Sequence, residues 1–153
     1  MKYLIIENVR SAYNVGAMFR TADGAGFDKI FLIGYTPTPI DRFGRVQAEI
    51  SKTSLGASAI IPWAKAESSV EVIAKLQADG CTVVAIEQSA RSVSLAEFVV
   101  PDTVAYVMGN EVGGVTDETL ALADVVVDIP MLGQKESLNV SVAAGIVMYH
   151  GLV

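Results

Sequence analysis

The feature that most constrains this chain is the stretch 129–145, which joins the end of an apolar strand to the start of an apolar helix. Pro130 ends the strand because proline has no backbone N–H. The loop 131–136 follows, and open α/β sheets bind ligands at the carboxyl ends of their strands. Asn139 and Ser141 are unexpected in the next helix, since both residue types lower helix propensity.

A purely structural interpretation of this stretch is also available. The helix could be capped by Ser137 and packed closely through its small residues Ala143, Ala144 and Gly145. That interpretation accounts for the small residues, but it gives no reason for an asparagine before a long apolar run.

Composition excludes several classes of protein. The chain has 153 residues, of which 52% are hydrophobic, and this favours one packed domain over residues 1–153. It contains no apolar run of membrane-spanning length and no signal-peptide pattern, so we expect a cytoplasmic protein with no membrane contact. One cysteine (Cys81) and one histidine (His150) exclude an internal disulfide and argue against a metal site.

Charge is distributed unevenly along the chain. The net charge is −6, yet residues 1–65 carry eight Lys/Arg and five Asp/Glu, whereas the remainder carries three and twelve. A polyanionic partner would therefore meet the N-terminal half. An ordinary acidic surface with chance asymmetry is the alternative.

The hydrophobic pattern predicts strands that alternate with helices. Such a pattern is typical of an α/β fold, with a mostly parallel sheet flanked by helices on both faces. We expect strands at 3–6, 29–33, 59–63, 81–86, 104–108 and 125–129, helices at 14–25, 41–51, 67–78, 116–123 and 138–150, and a short edge element at 94–98.

Two further polar clusters follow strands. In residues 8–21, Asn14 can cap the first helix and Arg20 lies well inside that helix. Arg20 is either a solvated helix arginine or a guanidinium for a phosphate or carboxylate. The loop 109–115 holds Glu111 and three glycines, which suit either a tight turn or close approach to a ligand. It matches neither a Walker A motif nor a dinucleotide fingerprint.

Together the three clusters place amides, hydroxyls, a carboxylate and a guanidinium at strand ends, without a histidine or cysteine. This set is poor for a nucleophile triad or a metal, and it suits a reaction that depends on positioning and charge stabilisation.

The three clusters resemble the motifs of the SpoU/TrmH branch of the SPOUT RNA methyltransferases. The matching segments are 14–22, 109–113 and 129–143, in the family's order, and the third is highly specific. The resemblance implies an α/β fold with a C-terminal deep trefoil knot, and a homodimer with a composite active site. It also implies S-adenosylmethionine as cofactor, held by residues matching Ile86, Gly109, Ile129, Met131, Ser137 and Leu138.

The resemblance further implies methylation of a ribose 2′-hydroxyl in tRNA or rRNA, with no metal. Arg20, usually from the partner subunit, would activate or position the hydroxyl or its phosphate. Glu111 and Asn139 would orient it, and Ser141 and Asn14 would complete the catalytic group. RNA would approach along Arg10, Arg20, Arg42, Arg45 and Lys52.

The resemblance also suggests a minimal catalytic core without an added RNA-binding domain, so a partner protein for RNA binding is conceivable. Two alternatives stay open. One is a non-catalytic RNA-binding or regulatory member with a retained S-adenosylmethionine pocket. The other is an unrelated nucleotide-binding α/β module, against which the absence of phosphate-loop motifs counts.

Overall fold

The computed structural model describes all residues, 1–153, and strands alternate with helices along most of the chain. The strands are β1 (Lys2–Glu7), β2 (Lys29–Ile33), β3 (Trp63–Ala66), β4 (Thr82–Ile86), β5 (Val93–Ser94), β6 (Val104–Met108) and β7 (Val125–Asp128). The α-helices are α1 (Ala12–Gly24), α2 (Ala48–Ser54), α3 (Ser69–Ala78), α4 (Asp117–Leu122) and α5 (Val140–Tyr149). Short 3-10 helices occupy Ala57–Ala59 and Leu95–Glu97.

All seven strands form one sheet in the order β3-β2-β1-β6-β4-β7-β5. Every neighbouring pair is parallel, which extends the expectation of a mostly parallel sheet. Because the strands run the same way, the loops after β1, β4, β6 and β7 all leave from one edge. That edge is where parallel sheets bind ligands.

Helices cover both faces of the sheet, as the sequence pattern predicts. Alternate residues of a strand point to opposite faces, so Leu4 and Ile6 pack in a cluster of 24 buried residues with α1, α2 and α5. Ile5 packs in a smaller cluster of 13 with α3 and with Val115 and Ala123, which flank α4. The thicker hydrophobic layer therefore lies under α1 and α5, the two helices that carry motif residues.

The predicted helix at 41–51 is wrong in its first half. Asp41 accepts hydrogen bonds from the backbone N–H of Phe43 (2.9 Å) and Arg45 (3.0 Å), and Gly44 has φ +78°. An aspartate side chain that satisfies the amides of its own turn competes with a helix, and the left-handed glycine excludes one. The helix begins only at Ala48 and ends at Ser54.

The predicted strand at 59–63 is also misplaced. Pro62 cannot donate a ladder hydrogen bond, and its carbonyl accepts from the N–H of Ile30 at 3.0 Å, so pairing starts there. The strand runs from Trp63 to Ala66 instead.

Two helix caps differ from expectation. Ser11, not Asn14, caps α1, because its side chain accepts the N–H of Asn14 at 3.1 Å. Asn14 lies in the first turn of the helix, and its side chain is buried. Asn139, not Ser137, caps α5. Capping thus explains why an asparagine precedes the apolar run, because its side chain satisfies amides that the first turn leaves free.

Cys81 is buried, and desolvation raises the pKa of its thiol to about 11. A thiol of that pKa is a poor nucleophile at neutral pH. None of the helices has the length and the apolar character needed to cross a membrane.

Candidate active site

A cleft of about 530 Å³ lies at the carboxyl edge of β4, β6 and β7. These strands are close neighbours in the sheet, so the three loops that follow them converge. All six residues expected to hold the cofactor line this one cleft: Ile86, Gly109, Ile129, Met131, Ser137 and Leu138. Glu111 and Asn139 line it as well.

Gly109 can only be a glycine in this backbone. A Cβ built there would lie 2.3 Å from the carbonyl carbon of Gly114 and 2.3 Å from the backbone nitrogen of Val115. Both obstacles are backbone atoms, which a rotamer change cannot move. The loop 109–115 therefore folds back tightly on itself and forms one wall of the cleft.

The segment 131–139, which lines the cleft through Met131 and residues 136–139, offers free backbone donors. None of its amide N–H groups donates a hydrogen bond within the protein. Gln88 Nε2 donates to the carbonyl of Glu136 at 2.7 Å and ties this segment to the loop after β4. Exposed amides beside an apolar floor are suited to holding a polar organic ligand through its heteroatoms.

The charged residues that line the cleft are all acidic: Glu87, Glu111, Asp117, Asp128 and Glu136. No lysine or arginine is among them. An acidic lining favours a cationic ligand and disfavours a di- or triphosphate. This counts against the nucleotide-binding alternative.

Four of the five residues expected in catalysis lie together on the rim of the cleft. Asn139 Nδ2 donates to Asn14 Oδ1 at 3.4 Å, and Asn14 lies close enough to Glu111 for its side-chain amide to help lower the pKa of that carboxyl. On the other side, Ser141 Oγ donates to Asn139 Oδ1 at 2.6 Å. These four residues come from all three sequence clusters and are called the polar relay below: Glu111, Asn14, Asn139 and Ser141.

Glu111 is held as a carboxylate. Partial burial acts to raise its pKa, but hydrogen bonds from backbone N–H groups outweigh this and lower the pKa below 4.5. Two of these donors are Arg10, at 3.1 Å, and Ser11, at 3.0 Å, just before α1. A carboxylate with a lowered pKa is a weak base, so Glu111 is suited to orienting a cation or a donor.

Arg20 does not contact the polar relay of its own chain. It lies six residues after Asn14 on α1, which places it about 120° around the helix and about 9 Å along it. Its side chain is exposed and makes no hydrogen bond or ion pair. Glu111 and Asn139 therefore do not orient Arg20 of their own chain.

The other basic residues expected to meet RNA are exposed. Arg10 lies over the ring of Tyr35, with Cζ 5.4 Å from the ring centroid. Arg42 and Arg45 flank Phe43, and Lys52 lies on α2. All four side chains reach solvent on segments at or beyond the carboxyl ends of β1 and β2.

Sequence reasoning missed two carboxylates that fix the loop 109–115. Glu87 Oε2 accepts the N–H of Val115 at 3.0 Å, and Glu7 Oε1 accepts the N–H of Thr116 at 2.8 Å. Both glutamates directly follow or end a strand at the ligand-binding edge. That position at a strand end was the signal available in the sequence.

No group of three or more His, Cys, Asp or Glu side chains is arranged to hold a metal ion.

The fold and cleft define an α/β protein of the class that binds a small ligand at the carboxyl edge of a parallel sheet. A family model described as "SpoU rRNA Methylase family" matches residues 1–149. The chain belongs to this family.

Curated relatives carry methyltransferase names. The 23S rRNA (guanosine-2′-O-)-methyltransferase RlmB of Neisseria meningitidis is 33% identical over 145 residues, which cover 95% of this chain and 55% of the relative. An uncharacterized tRNA/rRNA methyltransferase of Archaeoglobus fulgidus is 36% identical, over 95% of this chain and 62% of the relative. The chain thus spans about half to three fifths of the length of these relatives.

Solved structures agree with the fold. The AdoMet-bound rRNA methyltransferase of Sinorhizobium meliloti superposes with a TM-score of 0.85 at 31% identity, over 97% of this chain and 54% of that one. A structure concerned with 2-OH methylation of C/U34 on tRNA gives a TM-score of 0.79 at 26% identity, over 99% of this chain and 94% of that one.

Proposed function

We propose that this protein is an S-adenosylmethionine-dependent methyltransferase acting on a ribose 2′-hydroxyl in rRNA or tRNA. The observation that carries the proposal is the convergence of the six expected cofactor residues on one cleft, with the polar relay along its rim. The names of its relatives supply the reaction class. We expect the protein to act in the cytoplasm, where such RNA substrates are met.

The cleft fits S-adenosylmethionine on three physical grounds. Its volume of about 530 Å³ is in the range of small-molecule sites. Its free amides at 131–139 can bond the adenine and the polar groups of the ligand. Its acidic lining suits the positive sulfonium. The bound cofactor would supply an activated methyl group, so the protein needs neither a metal nor a strong nucleophile.

The protein residues would position the ribose and stabilise charge. A guanidinium has a pKa above ~12, so Arg20 is a poor base, and we assign it to the phosphate beside the target ribose or to a shared proton. The carboxylate of Glu111 would orient the guanidinium of Arg20 from a second protomer. Asn14, Asn139 and Ser141 would fix Glu111 and the ribose relative to the cleft.

The position of Arg20 supports a homodimer with composite sites. Since Arg20 is exposed and unpaired in its own chain, it is available to the cleft of a second protomer. An apolar stripe on α5 provides a matching surface. Its members recur at helical spacing and are 36–50% exposed: Val142, Ile146 and Tyr149.

A C-terminal trefoil knot belongs to the same proposal. β7 lies between β4 and β5, and residues 87–92 link those two strands across the end of β7. The chain leaving β7 must pass one side of that link, and Gln88 holds Glu136 beside it. If the chain after β7 passes through the loop that contains residues 87–92, pulling the termini apart tightens a knot. The extension measured in a force experiment should then be shorter than the contour length of the unfolded chain.

The first experiment measures two properties of the whole chain. Calorimetry with S-adenosylhomocysteine tests the cleft, and transfer of tritiated methyl groups to bulk tRNA and rRNA tests the reaction. No cofactor binding would refute the proposal. Binding without transfer to either RNA would favour a non-catalytic RNA-binding or regulatory member.

Arg20→Ala separates catalysis from cofactor binding. Transfer should fall by about 10²–10³-fold, as when one charge-stabilising donor is removed. Binding of S-adenosylhomocysteine should stay unchanged. Near-normal turnover in this variant would remove Arg20 from the mechanism.

Mixing inactive variants tests the composite site. Co-expressed Arg20→Ala and Asn139→Asp protomers should form heterodimers with one intact site, which would restore about a quarter of wild-type activity after random pairing. No recovery would place both residues in the same protomer's site.

Charge reversal at Arg42 and Arg45 tests the RNA surface. The double variant should bind RNA more weakly and with a smaller salt dependence, while keeping its affinity for S-adenosylhomocysteine. Equal loss of both affinities would contradict a separate RNA surface. Mapping 2′-O-methyl groups in RNA from a deletion strain would then identify the nucleotide.

A further inference from the structure

The segment 34–47 exposes two aromatic rings, each beside a guanidinium. Phe43 is 66% exposed and Tyr35 is 54% exposed. Arg42 Cζ lies 4.8 Å and Arg45 Cζ 5.0 Å from the Phe43 ring centroid, and Arg10 approaches Tyr35 at 5.4 Å. Neither ring packs in the hydrophobic core, so core stability does not explain them.

The turn that presents Phe43 is well ordered by its own hydrogen bonds. Asp41 accepts from two backbone amides of the turn and also from Arg45 Nε at 2.9 Å. Residues 40 and 46 pair as an antiparallel bridge at its base. Backbone hydrogen bonds to Asp41 lower its pKa, so the ion pair persists at neutral pH.

The two arginines beside Phe43 differ in freedom. Arg45 is fixed by Asp41, whereas Arg42 has no ion-pair partner. Arg45 and the ring therefore form a fixed surface, and Arg42 is free to reach a phosphate. Unpaired bases stack on aromatic rings and on guanidinium planes, while the adjacent backbone needs positive charge.

Tyr35 connects this surface to the active site. Its hydroxyl accepts a hydrogen bond from Asn110 Nδ2 at 2.8 Å, one residue before Glu111. The loop that carries Phe43 thus begins beside the polar relay.

We propose that Phe43 and Tyr35, with their flanking arginines, form a binding site for unpaired RNA bases next to the methylated nucleotide. The inference rests on the proposed function and narrows its substrate to RNA that is single-stranded around the target. Ile40 and Val46 are also exposed on the turn, which would suit a protein partner. The arginines beside both rings favour RNA instead, because RNA supplies bases for the rings and phosphates for the guanidinium groups.

Phe43→Ala is the main test, with Phe43→Trp as the rescue variant and Ile60→Ala as the control. Ile60 is 71% exposed in the same basic half of the chain. Binding is measured by fluorescence anisotropy with a single-stranded RNA oligonucleotide and with a duplex of equal length. Phe43→Ala should weaken single-strand binding by roughly tenfold, and Phe43→Trp should restore it. The affinity of Phe43→Ala for the duplex should equal that of the wild-type protein. Ile60→Ala should bind both RNAs with wild-type affinity.

Salt dependence distinguishes stacking from charge. Removal of the ring should leave the slope of log affinity against log salt unchanged, whereas Arg42→Ala should reduce it by about one. Phe43→Ala with wild-type affinity, or with equal losses for single strand and duplex, would overturn the base-stacking site. So would a change in oligomeric state with RNA affinity intact, which would indicate a protein contact.

The two proposals fail in different ways. If the wild-type protein methylates RNA and Phe43→Ala does so equally well at limiting RNA, only the base-stacking site is refuted. If the wild-type protein binds neither S-adenosylhomocysteine nor RNA, the proposed function fails and the stacking site fails with it.

Discussion

Asn139 donates a hydrogen bond from Nδ2 to Oδ1 of Asn14 at 3.4 Å, across 125 positions of sequence. Its other amide atom, Oδ1, caps α5 by accepting the N–H groups of Ser141 (2.9 Å) and Val142 (3.3 Å). Capping fixes the orientation of the amide, and the fixed amide then orients Asn14 toward Glu111. One side chain therefore connects the start of the last helix to the rim of the cleft.

Asn139→Asp should separate these two roles. An aspartate keeps the oxygen that caps α5, so the free energy of unfolding should change little. The aspartate has no Nδ2 to donate to Asn14 Oδ1. If the Asn14 amide turns over to donate to the new carboxylate, its own oxygen then faces the carboxylate of Glu111. Transfer should fall by about 10²-fold, the usual cost of misplaced catalytic groups. Ser141→Ala is the milder control, and normal transfer by Asn139→Asp would exclude the polar relay from catalysis.

Gly109→Ala should abolish cofactor binding. The added Cβ would meet the backbone of Gly114 and Val115 at 2.3 Å, so the loop 109–115 must move. We expect a loss of about 1–3 kcal/mol of stability from overpacking. Gly133→Ala is the matched control, because no atom lies within 4 Å of a Cβ at that position. Calorimetry with S-adenosylhomocysteine checks both variants, and equal binding would contradict a rigid cleft wall.

Glu111→Gln should reveal a pH-dependent contribution to stability. The folded pKa of Glu111 is lowered below its ordinary 4.5, so its stabilising effect is present above that value and is lost as pH falls through the folded pKa. The difference in unfolding free energy between wild type and variant should therefore be largest near neutral pH and shrink in acid. Denaturation in urea at several pH values measures it. A difference that grew in acid would contradict a carboxylate stabilised by its amide donors.

Val142→Asp and Ile146→Asp should produce monomers. Both side chains lie on the exposed stripe of α5, and a charge there would have to be buried in a dimer. Sedimentation velocity should resolve the change, and methyl transfer should fall with it. Ile60→Asp, at a position 71% exposed that follows the 3-10 helix Ala57–Ala59, should leave the oligomeric state unchanged. Dimers in all three variants would place the interface elsewhere.

Helix and strand periodicity was enough to predict much of the fold. β2 and β6 match their predicted bounds, and Thr116 caps α4 by accepting the N–H of Thr119. The errors at 41–51 and 59–63 have local causes that periodicity does not contain. Asp41 and Gly44 build a turn, and Pro62 delays a strand, although the apolar pattern continues through both.

Sequence alone determined the alternation of elements and the residue types at the strand ends, because periodicity and breakers act within a few positions. Only the tertiary structure decided which ends meet. The strand order brings β4, β6 and β7 together, so Ile86, Gly109 and Ile129 share a cleft although they are far apart in sequence. The same packing bonds Asn14 to Asn139 and leaves Arg20 outside the relay, because helix geometry turns it toward solvent. The stretch 129–145 therefore supplies its own cap, but its position beside α1 depends on the assembled sheet.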